Sequence, residues 1–172
     1  VSAAKIRQDP SLQRLRLVFD QPIPKGTATL SLVFTGVLND QLAGFYRSRY
    51  TTADGKEGHM AATQLESTDA RRAFPCWDEP EAKATFELSV IVPNGMAAIS
   101  NTPIMRENDL GDGTRFVRFA ETPLMSTYLL ALVIGPLEAL ERKARTGTKI
   151  RVWSLPDRIQ HGEWALDQAA LI

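Results

Sequence analysis

The chain has 172 residues, 44% hydrophobic and 23% charged, with 11 glycines and 10 prolines, the composition of one globular domain with its own core. Twenty basic residues balance twenty acidic ones, so no global field points to nucleic acid or an anionic membrane, and the longest apolar run, 129–134, is far too short to cross a bilayer. Cys76 is the single cysteine, which excludes an internal disulfide and suits a reducing compartment.

Period-2 alternation dominates from the start. Leu15, Leu17 and Phe19 alternate with Arg14, Arg16 and Val18. After Pro22-Ile-Pro-Lys-Gly26, Ala28, Leu30, Leu32 and Phe34 alternate with Thr29, Ser31, Val33 and Thr35. The two patterns predict half-buried strands joined by a short connection. Residues 45–52 and 57–65 flank Ala53-Asp-Gly55, and Asp-Gly is a strong hairpin signal. Further strands are predicted over 84–92, 96–99, 115–120, 127–134 and 149–155. Pro93-Asn-Gly95 and Asp109-Leu-Gly-Asp-Gly113 supply turns. Helix is scarce. A turn or two fits 68–73, with Ser67 or Thr68 as N-cap and Asp69 near the positive end of the dipole, and Pro75 stops it early. Residues 160–172 read as the start of an amphipathic helix with Trp164, Ala165, Leu171 and Ile172 apolar. Many short strands and few helices predict an all-β domain, a sandwich or saddle-shaped sheet pair. It is expected to fill 1–158, with 159–172 opening a helix that leads elsewhere. The start at Val1 and the stop inside an apolar helical pattern fit a piece of a longer polypeptide.

The chain's chemistry concentrates in residues 63–80. There Glu66, Asp69, Asp78 and Glu79 lie with Arg71, Arg72, Gln64 and Cys76 between plain strands. Elsewhere His59, His161 and Cys76 have no zinc-site spacing, and H-E-x-x-H, G-x-S-x-G and phosphate-cradling glycine motifs are absent. His59 is expected on an exposed strand face, His161 in the first turn of a helix, and Cys76 as a packing residue. If 57–66 is a strand, Met60, Ala62, Gln64 and Glu66 share one face while Leu65 turns to the core. A carboxylate beside an amide accepts hydrogen bonds from an ammonium group, at roughly 1.5–3 kcal/mol per charge-assisted bond. Spacing alone favours the plainer reading, in which Glu66 is spent on an ion pair with Arg71 or Arg72, five and six residues on. Asp69, Arg71, Arg72, Asp78 and Glu79 read as an architectural brace, and Phe74, Pro75 and Trp77 as an apolar wedge against a neighbour.

Thr63-Gln-Leu-Glu66, followed by Thr68-Asp-Ala-Arg-Arg-Ala-Phe-Pro-Cys-Trp-Asp-Glu-Pro80, resembles the zinc aminopeptidase family that contains aminopeptidase N, and looks closest to its puromycin-sensitive, largely cytosolic branch. Gly44-Phe-Tyr-Arg-Ser-Arg-Tyr50, Ala84-Thr-Phe-Glu87, Ser100-Asn101 and Thr122-Pro-Leu-Met-Ser-Thr-Tyr-Leu-Leu130 agree. The resemblance implies the N-terminal β domain of a cytoplasmic enzyme that releases N-terminal amino acids from peptides. It further implies that Glu66 binds the free α-amine of the substrate and that Gln64 lines the same subsite. The catalytic residues and zinc would belong to a downstream domain of the same polypeptide, so this chain supplies no catalytic residue, binds no metal and is inactive alone. Expected partners are that domain and peptides with a free N-terminus, with neither nucleic acid nor membrane. A non-catalytic β-sandwich module that uses Gln64, Glu66 and the 74–77 corner as a protein interface is the alternative.

Overall fold

A computed structural model describes residues 5–171. In chain order the strands are β1 (Lys5–Asp9), β2 (Arg14–Val18), β3 (Gly44–Thr51), β4 (Glu57–Gln64), β5 (Ser89–Pro93), β6 (Ala97–Ser100), β7 (Ile104–Asp109), β8 (Thr114–Phe119), β9 (Leu132–Gly135), β10 (Glu138–Lys143) and β11 (Lys149–Ser154). A single α-helix, α1 (Glu163–Leu171), closes the described chain. The domain is all-β, as its alternation predicts.

Two sheets enclose the core. One has the order β3-β4-β9-β6 and the other β5-β8-β7, with antiparallel neighbours throughout. Val92, Val117 and Phe119 from the three-stranded sheet meet Ala98 and Leu132 from the four-stranded one, with Phe45, Val90 and Ile134 packed around them. Apolar side chains from two inner faces thus interdigitate, as the inward half of each alternation requires. Beside this sandwich, β10 and β11 form a separate ribbon that carries α1.

The hairpin β3–β4 forms where Asp-Gly marks it. Thr52 and Lys56 close the loop, the Thr52 N–H donating to the Lys56 carbonyl at 2.8 Å, and Gly55 takes φ 82°. The amino-terminal pairing differs from expectation. β2 pairs with β1, while 28–35 runs outside any ladder, with Val33 fully exposed. Alternation prepares a side-chain face, but a strand also needs an adjacent backbone edge. The turn after Asp9 supplies β2 with one four residues away, its carboxylate accepting from the Ser11 hydroxyl at 2.6 Å and the Leu12 N–H at 3.1 Å. No such neighbour reaches 28–35 among the described residues.

The strand expected over 84–92 is regular only as β5. Upstream, Ala84 makes an isolated bridge with Met125, and Phe86 bonds to Thr122. Pro123 lies in the facing segment and has no N–H to offer a ladder. Residues 127–134 likewise divide into a 3₁₀ turn, Thr127–Leu129, and the short β9. Strands β7 and β10 are almost wholly exposed, so they lack the apolar alternation that would announce them.

At the carboxyl end a 3₁₀ stretch, Pro156–Gly162, precedes α1. His161 lies at the end of that stretch, not in a first helical turn. The face of α1 that packs on the ribbon is Leu166, 2% exposed, whereas Trp164 and Leu171 point outward at 74% and 71%. A nine-residue helix lying on a two-stranded ribbon has room for only one deeply buried large side chain. Ile172 lies outside the described residues. No helix among them is long and apolar enough to cross a membrane.

Candidate functional site

The end of β4 is fixed by Thr63, whose hydroxyl accepts the Leu132 N–H at 2.9 Å and donates to the Leu130 carbonyl at 3.4 Å. Leu65, two residues on, is 2% exposed. Its neighbours Gln64 and Glu66 are exposed, but β4 ends at Gln64 and Glu66 lies in the turn that follows, so the strand expected over 57–66 stops two residues early and strand phase does not reach Glu66. The Glu66–Ser67 peptide bond is cis. The chain then turns sharply: the Asp69 N–H donates to the Leu65 carbonyl at 2.9 Å, and Ala70, fully buried, anchors a single 3₁₀ turn, Ala70–Arg72.

This turn is shorter than the predicted helix, and Asp69, in place of Ser67 or Thr68, holds its N-cap position without a side-chain capping bond. Asp69 is instead engaged by Arg72, at 2.6 Å. Asp78 holds the rest. Its Oδ2 accepts the Arg71 backbone N–H at 3.0 Å and the Arg71 Nε–H at 2.8 Å, while Arg71 Nη2 donates to the Asp78 carbonyl at 3.1 Å. Asp78 is 6% exposed, and a buried carboxylate persists when it is paired and hydrogen-bonded in this way. The hydrogen bond to Asp78 raises the pKa of Arg71 above the ordinary arginine value. Gly44, at φ 73°, lets the start of β3 lie against this turn; a Cβ there would sit 2.7 Å from Arg72 Cβ.

Both arginines are therefore engaged elsewhere, and the ion-pair reading of Glu66 fails. Neither Glu66 nor Gln64 makes a side-chain hydrogen bond or ion pair among the described residues. An exposed carboxylate and an exposed amide flank Leu65 with their acceptor oxygens open. The braced turn behind them holds the backbone in place, and the arrangement can accept hydrogen bonds from a cationic donor.

The wedge reading needs correction at Trp77, which is 78% exposed. Its carbonyl, not its ring, ties the corner down by accepting the Thr127 hydroxyl at 2.9 Å. Ser126 donates to the Pro80 carbonyl at 2.7 Å and accepts from Lys83 Nζ at 2.9 Å. Sequence reasoning missed these small hydroxyl groups, because contacts across 46 and 50 residues leave no local pattern. Thr127 lines a cavity of about 300 Å³ with Phe74, Cys76, Lys83 and Phe86.

A metal does not fit here. Burial, reinforced by Asp78, pushes the Cys76 thiol up to about 11, which disfavours the thiolate that a metal needs. His59 is exposed on β4 and His161 lies beyond β11. No group of three or more histidine, cysteine, aspartate or glutamate side chains among the described residues is placed to hold an ion.

The family described as Peptidase M1 N-terminal domain matches residues 1–129. Aminopeptidase M1-B of Oryza sativa subsp. japonica is 46% identical over 151 residues, 88% of this chain and 17% of that protein. Aminopeptidase M1 of Arabidopsis thaliana is 45% identical over 156 residues, covering 91% and 18%. The puromycin-sensitive aminopeptidase of Caenorhabditis elegans is 40% identical over 160 residues, covering 92% and 17%. The chain thus spans less than a fifth of the length of these three relatives.

Proposed function

The chain belongs to the Peptidase M1 N-terminal domain family, and from that premise we propose that it is the N-terminal domain of a cytoplasmic zinc aminopeptidase in which Glu66 anchors the substrate's α-amine. Gln64 lines the same subsite. The catalytic domain follows on the same polypeptide, reached through 159–172, and it holds the zinc that polarises the scissile carbonyl. This domain's own task is positional: a carboxylate at a fixed point selects peptides with a free ammonium terminus and sets the distance to the first peptide bond. Peptides with a free N-terminus are the substrates. The described residues hold no metal-binding constellation, and the domain alone is expected to hydrolyse nothing.

One observation carries this reading. Glu66 is exposed in the turn just after the core-anchored strand β4 while Arg71 and Arg72, the cations nearest in sequence, are paired with Asp78 and Asp69. A surface carboxylate with a cation within reach ordinarily pairs with it. Here the competing cations are held away, and the site stays open to an ammonium group.

The test is Glu66→Ala in the complete enzyme. Loss of a charge-assisted hydrogen bond of about 1.5–3 kcal/mol lowers kcat/KM for free-amine substrates roughly 10- to 150-fold. An unchanged kcat/KM would remove the anchoring role.

A further inference from the structure

Strand β4 has unequal support along its length. It pairs with β3 at all eight positions but with β9 only at Ala61 and Ala62. The half that runs from Glu57 to Met60 is therefore a two-stranded arm projecting from the sheet, and such ribbons are marginal without further contacts. Its loop receives them from a distant part of the chain. The Asp157 carboxylate accepts the Ala53 N–H across 104 residues, and Arg158 Nη2 donates to the Thr51 carbonyl at 2.6 Å across 107 residues. Arg158 Nε also lies 3.3 Å from Asp157 Oδ1, so the two side chains hold each other in the gripping arrangement.

The gripping segment is itself firmly seated. Leu155 and Gly162 are buried on either side of it, and a Cβ on Gly162 would lie 2.8 Å from Val152 Cγ1. Arg142 of β10 pairs with Glu163 and Asp167 of α1. Ribbon, 3₁₀ stretch and helix thus form one packed unit, and Asp157 and Arg158 are its contact with the hairpin loop.

We infer that Asp157 and Arg158 are positioning residues: they clamp the β3–β4 loop to the β10–β11–α1 unit and so fix the strand that presents Gln64 and Glu66 relative to the segment leading out of the domain. This rests on the amine-anchor reading above. The lever is long. From Glu57 to Gln64 is seven steps, about 23 Å at 3.3 Å per residue. With the Gln64 end of β4 held in the sheet by Thr63 and by pairing with β9, a rotation of about 5° between the sheet and the ribbon unit about the clamp would shift that end by about 2 Å relative to the unit, and misplacement of about 1 Å can cost on the order of 100-fold in rate.

The test is a double-mutant cycle in the complete enzyme, Asp157→Ala against Glu66→Ala, read as kcat/KM for a free-amine substrate. The clamp predicts about a 5- to 20-fold loss for Asp157→Ala in the native background and less than about twofold in the Glu66→Ala background, because both changes act through one anchor. Asp157→Asn keeps an acceptor for the Ala53 N–H and is expected to restore activity to within about threefold. That rescue also covers the case in which Asp157→Ala fails to fold. Hydrogen exchange at Ala53 reports clamp release directly, its protection falling in Asp157→Ala. If Glu66→Ala costs activity while Asp157→Ala releases Ala53 at no cost, or if the two losses multiply independently, the clamp is overturned and the anchor stands. If Glu66→Ala itself costs nothing, the anchor reading fails and the clamp's role falls with it.

Discussion

Replacing Asp78 by Ala tests the brace behind the candidate site. One oxygen, Oδ2, accepts both the Arg71 backbone N–H and its Nε–H, at 3.0 and 2.8 Å. The Asp78 side chain is 4% exposed and that of Arg71 29%. Removing the carboxylate leaves a backbone donor and a guanidinium donor without their acceptor. Breaking a buried ion pair from one side costs about 3–5 kcal/mol, and the partial exposure of Arg71 lets water reach part of the guanidinium, placing the loss near 3 kcal/mol. At about 2–4 °C per kcal/mol for a chain of this size, Tm should fall by roughly 6–12 °C. Urea denaturation should show a lower midpoint with an unchanged slope. Asp78→Asn retains an acceptor but not the charge and should lose about half as much. The Arg71→Ala/Asp78→Ala cycle should give a coupling above about 1.5 kcal/mol. A loss below about 1 kcal/mol for Asp78→Ala, or additive single effects, would show that the turn is held by something other than this pair.

Gly44→Ala should destabilise by about 1–3 kcal/mol, because it combines a left-handed backbone with overlap against Arg72 Cβ. Gly36→Ala, which meets nothing within 4 Å, should stay within about 0.5 kcal/mol by chemical denaturation. Equal effects would contradict the close approach. Cys76, raised from 9.0 to about 11 chiefly by burial, should react with iodoacetamide at pH 8 about 100-fold more slowly than an ordinary thiol, and at the ordinary rate in urea. Because its folded-state pKa lies above the unfolded value, its contribution to stability is complete below pH 9 and declines as pH rises toward 11. Alkylation of the folded protein at the free-thiol rate would remove this assignment.

The parts of the fold that could be read in advance are those that encode a local rule. Asp54-Gly55 marks the β3–β4 loop and Pro93-Asn-Gly95 the turn after β5, while strand phase reaches Gln64 at the end of β4 and stops short of Glu66, which lies in the turn beyond buried Leu65. Illegible parts depend on what lies across the gap. The alternation at 28–35 is as good as that at 14–19, yet only the second has a partner edge. β7 and β10 pair through backbone with exposed side chains and so carry no apolar signal. The site divides in the same way. Spacing permits Glu66 to pair with Arg71 or Arg72, and nothing within residues 63–80 decides whether it does. The choice falls elsewhere. Asp78 becomes buried because Ser126 and Thr127 hold the following corner at Trp77, Pro80 and Lys83 from 43–50 residues away, and a buried carboxylate must take the nearest guanidinium. Once Arg71 is claimed in this way and Arg72 turns to Asp69, Glu66 and the exposed Glu79 are the acids of residues 63–80 left without a paired cation among the described residues, so Glu79 does not join the brace expected of it. The openness of Glu66 is thus a product of tertiary packing, and weakening Asp78 should compromise the site as well as the fold.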